Sequence, residues 1–267
     1  MTEGTDRRRE EMLREMGIGP LWRLRAPASG AAEPDGDAVQ SQPMRVAEPV
    51  PVPVTVPSSP VDIAAAAIRD VAGMDWPALK TCVAECTACA LHKGRNKTVF
   101  GVGDERADWL FVGEGPGADE DAQGEPFVGQ AGKLLDNMLA AIHLKRGTNV
   151  YIANIVKCRP PGNRNPQAEE AAACSPYLER QIELIRPKLI VALGKVAAVN
   201  LLGRDASISS LRGSVHDCNG IPLIVTYHPA YLLRTLPDKA KAWEDLCFAV
   251  NTMRGLSPAS IAGASVP

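Results

Sequence analysis

Four of the seven cysteines have a spacing that could bind a metal. Cys86 and Cys89 form a C-x-x-C pair, Cys158 ends a later apolar run, and Cys174 lies in the helical pattern that follows. The odd total argues against a disulfide framework. Four thiolates would suit zinc or an iron–sulfur cluster equally well. The alternative is that Cys158 and Cys174 are small buried hydrophobic residues.

A glycine-rich turn at residues 113–117, with the sequence Gly-Glu-Gly-Pro-Gly, lies directly after the apolar run 109–112. A helical pattern follows it. α/β proteins place ligands in such a strand–turn–helix arrangement, at the carboxyl end of the strand. The glycines allow the backbone to approach a ligand closely and to adopt positive φ. The turn is therefore a candidate ligand site.

Asn154 lies near the carboxyl end of one predicted strand, and His228 follows another, so both would lie at the same edge of the sheet. A side-chain amide donates one hydrogen bond and accepts another on one planar edge, which suits a nucleobase. These residues and Phe127, with no Gly-Lys-Ser/Thr ending in the turn, favour a nucleobase over a phosphate. An asparagine satisfied by neighbouring backbone is the alternative for Asn154.

The segment after His228 combines an apolar knob with a cation, at Tyr231, Leu232, Leu233 and Arg234. Proteins that extrude a base from a duplex often insert an apolar wedge into the stack. The alternative is the N-terminus of a helix with core leucines.

The charge balance excludes a basic field over the whole protein, because 29 Lys and Arg oppose 31 Asp and Glu, a net charge of −2. Binding to nucleic acid would therefore depend on a local patch. The candidate phosphate contacts are Lys157, Arg159, Arg164, Arg212 and Arg234. As isolated charges, these side chains would be solvated surface residues.

Apolar runs alternate with helical patterns along most of the chain, which predicts an α/β fold with a mostly parallel sheet and helices on both faces. The strands are rich in Val, Ile and Leu rather than alternating, as buried parallel strands should be. Strands are predicted at 109–112, 150–156, 188–193 and 221–227. Helices are predicted at 62–71, 76–84, 129–143, 167–186, 195–202 and 238–253.

Both ends of the chain differ in composition from its middle. Residues 1–60 are rich in Pro and Ala and are predicted to be a disordered tail with one short helix. A single domain is predicted over residues 61–255, followed by a disordered tail over 256–267. Residues 12–24 could dock a partner protein, or the tail could be solvated with no such role.

The sequence contains no apolar run of 18 or more residues and no signal peptide, so we expect a cytoplasmic monomer with no membrane partner.

Five motifs together resemble the family 4 uracil-DNA glycosylases, the iron–sulfur type of bacteria and archaea. They are residues 86–89 (Cys-Thr-Ala-Cys), 113–117, 124–129 (Gly-Glu-Pro-Phe-Val-Gly), 154–161 (Asn-Ile-Val-Lys-Cys-Arg-Pro-Pro) and 228–234 (His-Pro-Ala-Tyr-Leu-Leu-Arg). The match covers about residues 76–253. It implies a DNA-repair hydrolase that flips uracil out of DNA and hydrolyses the N-glycosidic bond, leaving free uracil and an abasic site.

The resemblance also implies a fold and a cofactor. The fold is a three-layer α/β/α sandwich with a central parallel sheet of four strands. The cofactor is one 4Fe–4S cluster on Cys86, Cys89, Cys158 and Cys174, with Cys82 as a rival ligand. The cluster would tie two loops together and position Lys157 and Arg159 for DNA, rather than perform redox chemistry in turnover.

The resemblance implies that three residues recognise the base. Phe127 would stack on the uracil ring. Asn154 would donate to O4 and accept from N3–H, and His228 would donate to O2 as negative charge develops there. Cytosine reverses both partners of the amide, so it would be rejected.

The glycine-rich turn would line the rest of the pocket through Glu114, Gly115 and Pro116. Gly115 stands where the related family 1 enzymes carry an aspartate that positions water, so catalysis should depend more on leaving-group stabilisation. Glu114 and Glu120 are candidates for a supporting role. Glu120 could instead crowd uracil C5 and exclude thymine.

Two alternatives belong to the same fold. One is a nucleic-acid-binding protein without catalysis, which the intact set of Phe127, Asn154 and His228 disfavours. The other is a branch that links covalently to DNA through a histidine in an inserted Lys-Arg-Arg-Ile-His-Gln loop. Residues 207–216 lack that insertion, and His216 alone is a weak basis for covalent chemistry.

Overall fold

The computed structural model describes residues 71–256. The tail predicted over residues 1–60, its candidate docking motif at 12–24 and the tail beyond residue 256 lie outside this range. The helix predicted over 62–71 also lies outside it, except for its last residue.

A mixed sheet forms the centre of the described domain. Its strands are β1 (Val102–Gly103), β2 (Trp109–Gly113), β3 (Val150–Asn154), β4 (Leu189–Leu193), β5 (His216–Cys218) and β6 (Ile221–Thr226). The spatial order of the six strands is β1-β3-β2-β4-β6-β5. The inner strands β3, β2, β4 and β6 run parallel, whereas β1 and β5 pair antiparallel at the two edges.

The expectation of a four-stranded sheet is wrong in strand number, because the sheet has six strands. All four predicted strands occur, and they are the parallel inner ones. The missed strands, β1 and β5, have only 2 and 3 residues, too few to produce a periodic pattern. Short edge strands also limit pairing with other chains, since they expose few free backbone groups.

Helices cover both faces of the sheet. They are α1 (Trp76–Ala84), α2 (Ala118–Gln123), α3 (Gln130–Ala141), α4 (Ala168–Ile185), α5 (Lys195–Leu202), α6 (Ile208–Leu211), α7 (Pro229–Arg234) and α8 (Lys239–Leu256). Short 3₁₀ turns occur at Ala90–Lys93, Pro161–Asn163 and Leu236–Asp238. Among the described helices, none is long and apolar enough to cross a membrane.

Successive strand residues point to opposite faces, which divides the core into two layers. Leu110 and Ile190 belong to the layer with α1, α4 and α5. Phe111 and Val191 belong to the layer with α3 and α8. Both layers are buried, which explains why β2, β3 and β4 read as continuous apolar runs. The three-layer α/β/α prediction is confirmed at this level.

The strand register brings the polar residues to one edge. Gly113 at the end of β2 pairs with Asn154 at the end of β3. Leu193 at the end of β4 pairs with Thr226 at the end of β6, two residues before His228. The carboxyl ends of the inner strands therefore lie together, where open α/β sheets bind ligands.

Gly132 in α3 marks a tight contact that the fold depends on. A Cβ atom at Gly132 would overlap the carbonyl oxygen of Phe127, so Gly132→Ala must displace the loop that carries Phe127. We expect the free energy of unfolding to fall by about 1–3 kcal/mol, measured by urea denaturation. Gly255→Ala is the matched control, because a Cβ there meets nothing within 4 Å. Equal stability of the two variants would contradict this account.

Candidate active site

A cleft of about 630 Å³ opens at the carboxyl edge of the sheet. It brings together most of the residues that the sequence singled out. Those lining it are Glu114, Gly115, Pro116, Glu120, Phe127, Asn154, Arg164, His228, Tyr231 and Arg234. The glycine-rich turn, the end of β3 and the start of α7 thus form one concave surface.

Asn154 contributes a buried amide with an open hydrogen-bonding position. Asn154 is only 2% exposed, and its side-chain Oδ1 has no hydrogen-bond partner in the described structure. Buried polar atoms are nearly always paired, so an unpartnered acceptor beside a cleft indicates a position for a ligand donor. A Cβ at Gly113 would lie 2.6 Å from this Oδ1, so only glycine fits beside it.

Phe127 supplies a flat apolar wall next to Asn154. Its ring approaches so closely that a Cβ at Gly113 would lie 2.5 Å from it. Phe127 adopts the left-handed backbone conformation, with φ of 57°, which is rare for a bulky residue and marks a constrained position. Arg146 holds this loop by donating to the carbonyl oxygens of Pro126 and Phe127, both at 2.9 Å.

His228 lies opposite Phe127, with ring centroids 5.5 Å apart. Burial lowers the pKa of His228 to about 4, and the positive charge of Arg234 acts in the same direction. The imidazole is therefore neutral at physiological pH. Its Nδ1 accepts the backbone N–H of Ala230 at 3.1 Å, so the single proton resides on Nε2. The N-terminus of α7 thus fixes the tautomer that can donate from Nε2.

Glu114 and Gly115 form the wall contributed by the glycine-rich turn. Burial raises the pKa of the Glu114 carboxyl, and no described ion pair or side-chain hydrogen bond engages it. A Cβ at Gly115 would lie 2.8 Å from Cγ2 of Val156. A larger residue at position 115 would therefore require Val156 to move.

Glu120 clamps the two loops that shape the pocket. One carboxylate oxygen accepts the N–H of Gly117 at 3.0 Å, and the other accepts those of Val128 and Gly129 at 3.0 and 3.1 Å. Backbone donors therefore engage both oxygens. Its role as a support for the pocket has this geometric basis, whereas the exclusion of thymine stays a prediction.

Two of the predicted DNA contacts are wrong, because the side chains point inward. Lys157 and Leu232 are each only 1% exposed. Leu233, by contrast, is 41% exposed. The alternative for residues 228–234, a helix N-terminus with a core leucine, is correct for Leu232, whereas insertion of an apolar side chain into DNA stays a prediction.

Arg212 is also turned inward, contrary to the prediction of a phosphate contact. Its Nε donates to Asp245 at 2.7 Å, and its guanidinium lies 4.9 Å from the centre of the Tyr227 ring. Asp245 is bonded to Thr226 as well. This group anchors α8 to the end of β6.

The remaining predicted cations lie on the surface. Arg164 is paired with Glu170 through two hydrogen bonds of 2.8 and 2.7 Å. Arg159 is half-buried and donates to Asn163, and Arg234 is exposed at the rim of the cleft. Tyr231 is stacked on Tyr227 and donates to Asp238 at 2.6 Å.

A second, small cavity collects the four predicted cysteine ligands. It is lined by Cys86, Cys89, Cys158 and Cys174. Cys82, Cys218 and Cys247 do not line it. The C-x-x-C loop, the segment after β3 and helix α4 meet at this point, although they are distant in sequence.

The four cysteines supply only thiol ligands, which suit zinc or an iron–sulfur cluster. Within residues 71–256, no three Cys, His, Asp or Glu side chains are placed to hold a single ion. Burial raises the pKa of the Cys174 thiol to about 12, so deprotonation there needs a positive charge such as a bound metal.

Hydrogen bonds to sulfur also surround this cavity. Arg95 donates to Cys158 Sγ at 3.3 Å, and the backbone N–H of Lys157 donates to Cys174 Sγ at 3.3 Å. The N–H of Ala88 donates to Cys86 Sγ at 3.4 Å. Such donors stabilise thiolate ligands and adjust the reduction potential of iron–sulfur centres.

Three supporting residues were missed by the sequence analysis. Arg95 borders the cysteines, Arg146 holds the Phe127 loop, and Gln181 contacts the buried Lys157. Each lies in a segment without a motif, and each acts on a partner that is remote along the chain. A single sequence gives no signal for such pairs.

A pocket with an aromatic wall, an open amide and a neutral imidazole donor is of the class that holds a flat polar ring such as a nucleobase. The comparisons with known proteins agree. Residues 100–247 match the family model described as the uracil DNA glycosylase superfamily.

Named relatives narrow this assignment. The type-4 uracil-DNA glycosylase of Archaeoglobus fulgidus is 49% identical over 159 residues, which cover 57% of this chain and 79% of that protein. That of Thermotoga maritima is 49% identical over 161 residues, covering 60% and 83%. A type-5 enzyme of Pyrobaculum aerophilum is 33% identical over 149 residues, covering 49% and 64%. The chain belongs to the type-4 uracil-DNA glycosylases.

Glu120→Ala tests the loop clamp. Removing the carboxylate leaves three backbone donors without their acceptor, so we expect a loss of about 1–3 kcal/mol in the free energy of unfolding together with slower uracil excision. Thermal denaturation and an oligonucleotide assay measure the two effects, and the assay also scores thymine release. Asp119→Ala is the control, because this neighbouring carboxylate is exposed. Unchanged stability and unchanged excision of both bases would contradict the clamp and the thymine role.

Proposed function

We propose that this protein removes uracil from DNA by hydrolysing the bond between the base and deoxyribose C1′. The observation that carries the proposal is the buried, unpartnered Oδ1 of Asn154 beside Phe127 and the neutral His228. Membership of the type-4 family supplies the identity of the base. A base stacked in a duplex cannot reach this cleft, so the nucleotide must be flipped out.

Asn154 would select uracil by hydrogen bonding. Its Oδ1 would accept the uracil N3–H, and its Nδ2 would donate to O4. Cytosine has an acceptor at N3 and a donor at N4, so it would oppose both groups of the amide. Leaving two buried polar groups mismatched costs several kcal/mol, which gives strong discrimination. Phe127 would stack on the ring, a contact worth about 1–3 kcal/mol.

His228 would stabilise the leaving group. As the glycosidic bond breaks, negative charge develops on uracil O2, and the Nε2–H of neutral His228 would donate to it. A donor fixed before the reaction needs no reorganisation, which makes this term large. The hydrogen bond from Ala230 to Nδ1 keeps the donor in place.

Glu114 would assist the water. The sugar gains oxocarbenium character as uracil leaves, so water attacks late. Glu114 lines the cleft and is not engaged by any described ion pair. Its carboxylate can orient water or offset the positive charge on the sugar, and Gly115 offers no side chain for that role.

DNA would contact the rim of the cleft. Arg234 is an exposed cation at the cleft and Arg159 a half-buried one, and both would approach phosphates. Arg164 also lines the cleft, with its charge shared by Glu170. Leu233 is exposed and directly precedes Arg234, which lines the cleft. We infer that Leu233 fills the space left by the flipped base.

One 4Fe–4S cluster would be held by Cys86, Cys89, Cys158 and Cys174. When bound, it would supply a covalent crosslink between the C-x-x-C loop, the segment after β3 and helix α4. The proposal is supported by the cavity that the four cysteines share, by the N–H donors to sulfur and by membership of the family.

Asn154→Ala tests the proposed reading of the base. We expect excision from a uracil-containing oligonucleotide to fall by about 10²-fold or more, because the pocket loses both hydrogen bonds to the base. Alkali cleavage of the abasic product measures the rate. Asn137→Ala is the control, as Asn137 lies on an exposed part of α3. A wild-type excision rate in Asn154→Ala would contradict the proposed role of the amide.

The same assay tests the non-catalytic alternative. That alternative would be favoured if the intact, iron-bearing wild-type protein gave no strand scission.

The lowered pKa of His228 predicts an acid limit for excision. Because the pKa is lowered to about 4, the neutral donor persists above that pH and is lost as the pH falls through it. Protonation of Nδ1 would also break the bond from Ala230. The step in the single-turnover rate that belongs to His228 should therefore lie near pH 4, whereas a step that belongs to the Glu114 carboxyl, whose pKa burial raises, should persist in the His228 variant. His228→Gln, slower throughout, should lack this step. A step near pH 6.5 that vanishes in His228→Gln would contradict the assignment.

Cys158→Ala tests the cluster. We expect loss of iron and of visible-light absorption, with a lower melting temperature, because the crosslink between the segments is removed. Cys218→Ala is the control, since Cys218 is buried but does not line the cavity. Retention of the wild-type iron content by Cys158→Ala would exclude Cys158 as a ligand. Full folding and DNA affinity without iron would exclude the structural role.

A further inference from the structure

A buried lysine connects the four-cysteine cavity to the end of strand β3. Lys157 is only 1% exposed. Its Nζ donates to the carbonyl oxygen of Asn154 at 3.0 Å and to Gln181 Oε1 at 2.6 Å. Its backbone N–H donates to Cys174 Sγ at 3.3 Å. One residue therefore contacts both the strand end and a cysteine.

The ammonium of Lys157 has no carboxylate partner among the described residues. Both of its side-chain acceptors are neutral oxygens. Burying a charge is costly unless an opposite charge offsets it. Lys157 lines the cysteine cavity, so thiolates there are the available counter-charge.

Arg95 repeats this arrangement on another side of the cavity. Its guanidinium donates to Cys158 Sγ and to the carbonyl oxygens of Cys86 and Ala84. No described carboxylate forms an ion pair with it. Two cations therefore border the four thiols, and four thiolates around an iron–sulfur core carry roughly two negative charges. The cavity is complementary to an anionic group.

A hydrogen-bonded chain fixes Lys157 from behind. Gln181 is fully buried, and its Nε2 donates to the carbonyl oxygen of Phe100 at 2.9 Å and to the Tyr151 hydroxyl at 3.4 Å. Its Oε1 is thereby aimed at the lysine. The Asn154 carbonyl is thus held by a donor whose own position is determined by the core and by the cysteine segment.

We propose that Lys157 is a positioning residue that couples the anionic four-cysteine centre to the base-reading amide of Asn154. Its charge stabilises the thiolates, and its hydrogen bond to the Asn154 carbonyl sets where β3 ends and where the amide lies. The inference rests on the proposed function, because Asn154 is the group that reads uracil there. It also replaces the role of Lys157 as a DNA contact.

The test compares Lys157→Met with Lys157→Gln in the iron-bearing protein. Methionine removes the charge and the donor, whereas glutamine removes the charge and keeps a donor. The measurements are iron content, reduction potential and the single-turnover excision rate per iron-bearing molecule on a uracil oligonucleotide. Lys188→Met is the matched control, because Lys188 is exposed and precedes β4, at the amino-terminal ends of the parallel strands and therefore opposite the site.

Lys157→Met should lower the excision rate by roughly tenfold to a hundredfold, since displacement of a reading group by about 1 Å has such an effect. It should also lower the reduction potential, because a cation beside the centre is lost. Lys157→Gln should recover part of the rate but not the potential. Lys188→Met should change neither quantity.

Several outcomes overturn the inference. They are a wild-type rate in Lys157→Met, a reduced rate that Lys157→Gln does not recover, or a wild-type potential in both variants. If neither variant folds, Gln181→Met leaves the lysine with one acceptor, and an unchanged excision rate there overturns the coupling. Asn154→Ala separates the two proposals. If the excision rate falls in Asn154→Ala but not in Lys157→Met, only the coupling fails. A wild-type excision rate in Asn154→Ala would contradict the proposed recognition of the base itself.

Discussion

The close approach of β2 and β3 at their carboxyl ends is the constraint on which the site depends. Gly113 and Asn154 are direct neighbours in the parallel ladder, and no side chain fits at position 113 without displacing Phe127 or the Asn154 amide. This contact places an aromatic wall and an amide side by side. Arg146 supports the Phe127 loop and Lys157 supports the backbone of Asn154.

Polar groups in the pocket are held in position by the backbone. The N–H of Ala230 sets the tautomer of His228, and Glu120 gathers three N–H groups from two loops. Both arrangements orient a group before any substrate arrives. Preorganisation of this kind suits a reaction in which charge develops on the leaving group, since dipoles fixed in advance need no reorganisation as that charge appears.

The sequence analysis was most accurate for the inner strands and for the residues at their carboxyl ends. It was wrong for Lys157, Leu232 and Arg212, because the type of a residue does not show whether its side chain points toward the core or toward solvent. Lys157 turns inward toward Gln181, and Arg212 toward Asp245. Both partners lie on helices far along the chain. The short edge strands were missed because a pairing of two or three residues leaves no periodic signal.

The sequence by itself determined the alternation of strands and helices, the cysteine set and the residues at the ligand edge. Local patterns report these features because apolar periodicity and turn residues act over short distances. Only the tertiary structure decided which face each side chain occupies. It left Asn154 Oδ1 open, directed Leu233 outward and buried Lys157 between the strand end and the cysteines. Those outcomes depend on contacts between distant segments, whose packing no local pattern encodes.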